Sequence, residues 1–250
     1  MKKRLLPLAA GLLLAGSAFA QLQDEKNVTI TMDLQPILQL NMNTSDQISF
    51  VFDDIADYYG GITKYGATIL TVSSSVNWDL YAVGTSTNGA SWDNQMQYYT
   101  GADPNAVSVL PLSALELHQS FANANSTGFT GSFADYSTAF APANAVVIGQ
   151  NSIYASNTPY TPPTAAEKYI QGEAGTGAGQ QAPGGSYLTV GSAGPNIYYY
   201  AMDYRILPGL PAVFPAAGTN AGVSTALVSP AFARPGVYTM DVKYVLLEDQ

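Results

Sequence analysis

Apolar and polar side chains alternate with a period of two at both extremities of this chain. Near the end, Tyr238, Met240, Val242, Tyr244 and Leu246 fall on one face and Thr239, Asp241 and Lys243 on the other, which predicts one half-buried strand over residues 236–248. Near the start, Val28, Ile30, Met32 and Leu34 alternate in the same way with Thr29, Thr31 and Asp33, predicting a first strand. Pro36 cannot donate to a ladder, so it marks an edge, a bulge or a crossing before residues 37–42 resume the pattern. Strands at opposite ends of a chain either close one sheet or join neighbouring subunits.

Between them the pattern is uneven. Ile48, Phe50 and Phe52 alternate inward over residues 47–52, and a loop is expected over 53–61. Residues 67–73 and 78–83 are separated by a short connection, which predicts a hairpin. Short strands are expected at 96–99 and 146–154, while 107–110 and 115–118 are short apolar pieces separated by Pro111, with aromatic residues scattered among small ones over 121–144. Residues 157–185 are rich in Pro, Gly, Ala and Thr and read as a long mobile or ligand-facing loop, whose one mildly helical piece is 164–171. Strand patterning returns at 187–190 and strengthens over 196–206, where Tyr198, Tyr200, Met202, Tyr204 and Ile206 share a face, and a Pro- and Ala-rich crossing over 212–234 leads into the final strand. The expected architecture is all-β: one immunoglobulin-like sandwich over 21–250, built from the outer parts of the chain, with 85–186 as a decorated, loop-rich insertion.

The first 20 residues change the picture of destination. Lys2, Lys3 and Arg4 precede an apolar run over 5–16 and the small-residue step Ala18-Phe19-Ala20, the three parts of a secretory signal cleaved after Ala20. The run is well short of the roughly 20 residues that span a bilayer. Removing that leader takes the net charge from −9 to −12, which disfavours nucleic acid and anionic membrane surfaces as partners. No cysteine is present, so an exported chain must hold together by its core alone, and 230 residues suffice to bury roughly 70 % of the unfolded surface. Only 11 % of residues are charged, giving a hydrogen-bonding surface suited to packing against copies of itself.

Candidate chemistry is sparse. His118 is the one histidine, no serine sits in a nucleophile-elbow context, and the glycines Gly175, Gly177 and Gly179 lack the strand and helix that phosphate binding needs. No enzyme is read from this sequence. Asp53, Asp54 and Asp57 form a cluster of hard oxygen ligands after a strand and are the candidate calcium site; no other cofactor is expected. Tyr58, Tyr59, Trp92, Tyr98, Tyr99, Tyr154 and Tyr160 lie in or beside loops, where they either stack on sugars or cap the ends of the sandwich.

Asn77-Trp78-Asp79-Leu80, reached through a β-rich approach, resembles the Trp-x-Leu step of bacterial WxL-type surface domains. The second such step, carried near the end of those domains, is replaced here by Tyr244-Val245-Leu246-Leu247. The stretches Tyr204-Arg205-Ile206, Gly209-Leu210-Pro211 and Pro235-Gly236-Val237-Tyr238-Thr239 are similar to the closing region of bacterial fimbrial and surface β-sandwich subunits. The resemblance implies an extracellular immunoglobulin-like structural or adhesive role, with subunits linked by exchanged strands, and the Ala20-Gln21 cleavage context fits export from a Gram-negative bacterium.

The expected function is therefore a structural subunit of a filament, fimbria or surface layer that assembles with copies of itself by β-strand addition. Val28, Ile30, Met32 and Leu34 are the expected donated face, and Tyr238, Met240, Val242 and Tyr244 the strand beside it. The rival is a monomeric carbohydrate-binding or calcium-dependent adhesion module, binding surface glycans through the loop aromatics. Neither reading involves membrane insertion.

Overall fold

The computed structural model of the chain describes residues 25–26, 28–76, 78–101, 106–121, 134–140, 150–164, 167–172, 198–206 and 232–248. The expected leader, the glycine run, the strand at 187–190, and most of both the 121–144 stretch and the 212–234 crossing lie outside those residues. The chain forms two compact units, Met1–Gln35 and Pro36–Gln250. In the first, residues 28–34 belong to no helix or strand, and the Gln35 amide donates to Asp33 Oδ1 at 2.6 Å. The alternation is intact there, but a strand exists only by virtue of a paired neighbour, and this segment has none among the described residues.

The second unit is all-β. Its strands are β1 (Leu38–Met42), β2 (Ile62–Ser74), β3 (Trp78–Thr85), β4 (Asp93–Gln97), β5 (Ala106–Val107), β6 (Leu115–Phe121), β7 (Ala134–Asp135), β8 (Lys168–Tyr169), β9 (Tyr198–Ile206), β10 (Phe232–Ala233), β11 (Gly236–Thr239) and β12 (Asp241–Glu248). A four-stranded sheet runs β1-β2-β9-β6, all antiparallel, and a second layer pairs β3 with β12. Leu70 and Val72 from β2, Leu115 and Leu117 from β6, and Tyr200 and Met202 from β9 meet Trp78, Leu80 and Ala82 of β3 in one core. Trp78, fully buried, stands edge-on to Tyr198 with ring centroids 5.2 Å apart.

Several sequence expectations are corrected here. Residues 67–73 and 78–83 are both strands but do not pair as a hairpin; β2 pairs with β1 and β9, and β3 with β12. The connection lacks the Asn-Gly or Asp-Gly turn that a two-residue hairpin uses, and Ser74 Oγ instead accepts from the Val76 amide while the chain crosses between layers. Residues 47–52 form no strand, yet Ile48, Phe50 and Phe52 do pack against the core. The loop at 53–61 contains a one-turn helix (Ile55–Gly60) started by Asp54, whose Oδ1 accepts from the Ala56 amide at 2.9 Å. The mildly helical piece carries β8 instead. The final strand is two strands: β11 pairs with β4 and β12 with β3, with the break at Met240.

A second, smaller core covers the outer face of β3 and β12, where Tyr81, Val83 and Val245 pack with Tyr169, against Tyr154 and Leu247. It explains why residues 154–164 and 167–172 hug the fold. Tyr81 and Tyr169 donate to the Pro159 and Pro163 carbonyls at 2.9 and 2.6 Å, and Ile170 and Gln171 both donate to the Leu80 carbonyl. Gly172, at φ +90°, lies against Asp79, where a β-carbon would collide with that side chain.

On the far face of the four-stranded sheet, charged residues form two cross-strand pairs between β6 and β9. Arg205 Nε reaches Glu116 Oε2 at 2.5 Å, and His118 Nδ1 meets Asp203 Oδ2 at 2.7 Å, with Phe140 over Arg205. Burial pushes the Glu116 carboxyl up, opposed by the adjacent Arg205. Asp203 Oδ1 also accepts from the Gly66 amide at 2.6 Å, which pins the bulge between β2 and β9. The histidine and three charges are thus engaged in holding strands together.

Tyrosines dominate the interior, and burial raises the Tyr81 hydroxyl to about 12 and those of Tyr136, Tyr169, Tyr200 and Tyr244 upward as well. In the unfolded chain these groups lose their protons near 10. Above that pH the unfolded state therefore binds fewer protons than the folded one, so stability falls as pH rises. Urea midpoints should hold level through pH 9 and drop steeply beyond about 10, with the phenolate absorbance of the buried tyrosines appearing only together with unfolding. Ionisation of every tyrosine in the intact fold would contradict this core.

Candidate functional site: the open edge of β12

The hydrogen-bond phase of β3 fixes which side of β12 is free. Leu80 and Gly84 send their amides toward Gln171 and Tyr154, at 2.8 and 2.7 Å. Peptide groups alternate sides along a strand, so Asp79, Tyr81 and Val83 point toward β12, where their partners are Leu247, Val245 and Lys243. Val242, Tyr244 and Leu246 consequently direct their amides and carbonyls away from β3, and no described strand pairs with them there. The same residues turn their side chains to the main core.

β1 repeats this arrangement. Ile37 and Asn43 bond toward β2, through Ser75 N to Ile37 O and Asn43 N to Ile69 O, both 2.9 Å. Leu38, Leu40 and Met42 are out of phase with them and face the open side of β1. Beside these two edges runs a groove of about 400 Å³ lined by Leu38, Leu40, Tyr160, Tyr244, Val245, Leu246 and Leu247. Four consecutive residues of one strand can line a groove only if it follows the strand's backbone edge, since alternate side chains go to opposite faces.

The edge is held rigidly. Tyr244 hydrogen-bonds through its hydroxyl to that of Tyr204, which bonds Thr68 Oγ1 at 2.6 Å, tying β12 to β9 and β2. Tyr160 is 72 % exposed on a turn that Tyr81 anchors through Pro159.

The residues singled out in the sequence sort plainly. Tyr238, Met240, Val242 and Tyr244 pack partly buried against the core, with Tyr238 on β11, Met240 at the break and only Val242 and Tyr244 on β12. Val28, Ile30, Met32 and Leu34 are 84, 86, 77 and 81 % exposed. Asp54 caps the short helix, and no group of three acidic, histidine or cysteine side chains is placed to hold a metal among the described residues. Tyr58 packs tilted against Phe52 with ring centroids 5.3 Å apart, and Trp92 donates to the Pro111 carbonyl at 3.1 Å while packing on the core. Tyr98 and Tyr99 are exposed beside Met96, and the side chain of Tyr59 lies outside the described set. Sequence reasoning missed Leu38, Leu40, Val245 and Leu247 as groove residues. The available signal was Val245-Leu246-Leu247, which puts apolar groups on both faces of the last strand. No helix among the described residues is long and apolar enough to cross a membrane.

No protein-family model matches the chain, and no curated protein sequence matches it.

Amide hydrogen exchange on the unassembled chain should alternate along β12: slow at Lys243, Val245 and Leu247, fast at Val242, Tyr244 and Leu246. Uniform protection along β12 would mean that its outer edge is already paired.

Proposed function

We propose that the protein is a secreted structural subunit of an extracellular filament, fimbria or surface layer, released by cleavage of its leader and built on an immunoglobulin-like sandwich. Copies join by β-strand addition, the N-terminal segment of one completing the open β12 edge of another. The observation that carries this reading is the exposure of Val28, Ile30, Met32 and Leu34, each at least 77 %, on a segment patterned as a half-buried strand.

Magnitudes favour a preformed acceptor. Burying four such side chains gains roughly 6–12 kcal/mol, while ordering seven backbone residues costs roughly 7–14 kcal/mol. The two nearly cancel, so association is decided by main-chain hydrogen bonds and by a groove that need not reorganise. Both are available at an edge clamped by Tyr204 and Tyr244.

The adhesion reading is supported by Tyr98 and Tyr99, which are 67 and 59 % exposed on neighbouring positions. The two separate in one comparison. Electron microscopy of the mature chain should show fibres or sheets, lost when Ile30→Asp and Leu34→Asp are combined and retained when Tyr98→Ala and Tyr99→Ala are combined. Monomers throughout, with glycan binding abolished by the tyrosine substitutions, would replace assembly with adhesion.

A further inference from the structure

The outward peptide groups of β12, unpaired by any described strand, do more than accept some strand; combined with the charges on each segment they select one register. Resting on the strand-addition reading above, we infer that residues 28–34 of a second copy lie antiparallel to β12 with Leu34 opposite Val242 and Asp33 opposite Lys243.

Three independent features of the chain converge on that alignment. The first is the hydrogen-bond phase. Val242, Tyr244 and Leu246 carry the outward amides and carbonyls, and their side chains face the core. Residues directly opposite in an antiparallel pair share a face, so the apolar residues of the incoming segment must stand opposite these three. Leu34, Met32 and Ile30 do so in the inferred alignment, and their side chains continue the apolar wall begun by Leu38 and Leu40. β1 belongs to the other layer and approaches β12 within 8 Å, near the roughly 10 Å at which sheets stack. The added strand therefore extends the β12 layer and lies over β1.

The second feature is charge. Lys243 is the one basic residue of β12, exposed on its outer face, and makes no ion pair with another described residue. Asp33 is the one acid of the incoming segment and sits on its polar face with Thr29 and Thr31. Antiparallel pairing brings the two together at the place where Leu34 meets Val242. In a parallel strand placing Asp33 beside Lys243, Thr31 would stand at Asp241, the first residue of β12, leaving Val28, Thr29 and Ile30 beyond its end.

The third feature is termination. The alignment leaves Pro36 opposite Met240, the break between β11 and β12. Proline lacks the amide that a continued ladder requires, so both strands stop together. At the other end Val28 meets Glu248, the last residue of β12. Seven residues face seven.

The absence of cysteine from the chain makes the register directly readable. Asp33 and Lys243 would form a non-hydrogen-bonded pair, whose α-carbons lie about 4.5 Å apart, close enough for a disulfide. Full-length mature protein carrying Asp33→Cys with Lys243→Cys should give, under mild oxidation, a ladder of covalent multimers. The yield should exceed by about fivefold or more that from Thr31→Cys, Gln35→Cys or Thr29→Cys paired with Lys243→Cys, because two-residue offsets take α-carbons out of disulfide range. All of these positions are exposed, so folding is not at stake. Multimers that favour an offset pair would overturn the register and leave strand addition standing. A crosslinked monomer would overturn the second copy as occupant. No crosslink from any pair would overturn strand addition itself. In a parallel arm, Lys243→Glu and Asp33→Lys should each slow assembly several-fold at low salt and restore it when combined; failure of the double exchange to restore would count against the pairing.

Discussion

A peptide group at the rim of a sheet must find a partner, whether solvent, a side chain or another strand, and the whole organisation of this molecule bears on one such rim. β12 satisfies β3 through Lys243, Val245 and Leu247 and leaves Val242, Tyr244 and Leu246 facing outward. Folded proteins commonly blunt such an edge with proline, bulges or inward charges. This edge has none of those over residues 242–247, and its one lysine, Lys243, points to the outer face. It is also apolar on both sides, with the main core beneath and the smaller Tyr81 cluster above.

The remainder of the second unit keeps that rim straight and stiff. The buried tyrosine pair at Tyr204 and Tyr244 fixes the distance between layers, and Trp78 fills the middle of the core against Tyr198 and Tyr200. The Glu116–Arg205 and His118–Asp203 pairs hold β6 to β9 on the opposite face, where they are remote in the sheet order from β1 and its open side. Residues 154–164, anchored by tyrosine-to-carbonyl hydrogen bonds, place Tyr160 beside the groove. A docking surface made of regular strands and anchored turns loses little freedom when occupied.

How much of this was legible in the sequence depends on whether the feature is local. The alternation of β9 and β12 reads directly, because one buried face imposes a period of two on the residues themselves. Pairing does not: β2 and β3 look like a hairpin by their spacing, and only the need to cover both sides of the Trp78 core sends them to different layers. The run at Ile48, Phe50 and Phe52 has the same alternation without any ladder, since side chains can pack on a core while the backbone bonds elsewhere. Residues 28–34 carry strand patterning with no strand to join among the described residues, and that mismatch between local pattern and folded context is itself the informative result. Asp54, taken with Asp53 and Asp57 as a cation site, is engaged by a helix start that three acids in sequence do not announce. The groove was invisible because Leu38 and Leu40 are far in sequence from residues 244–247.

The most direct examination of the account is an assembly grown from two populations of the protein, one labelled with nitrogen isotope and the other with carbon isotope, and read by solid-state magnetic resonance. Transfer between amides of Val242, Tyr244 and Leu246 in one population and carbonyls of residues 28–34 in the other is the expected result. Protected β12 amides with transfer arising only within single copies, or from some other segment, would contradict it.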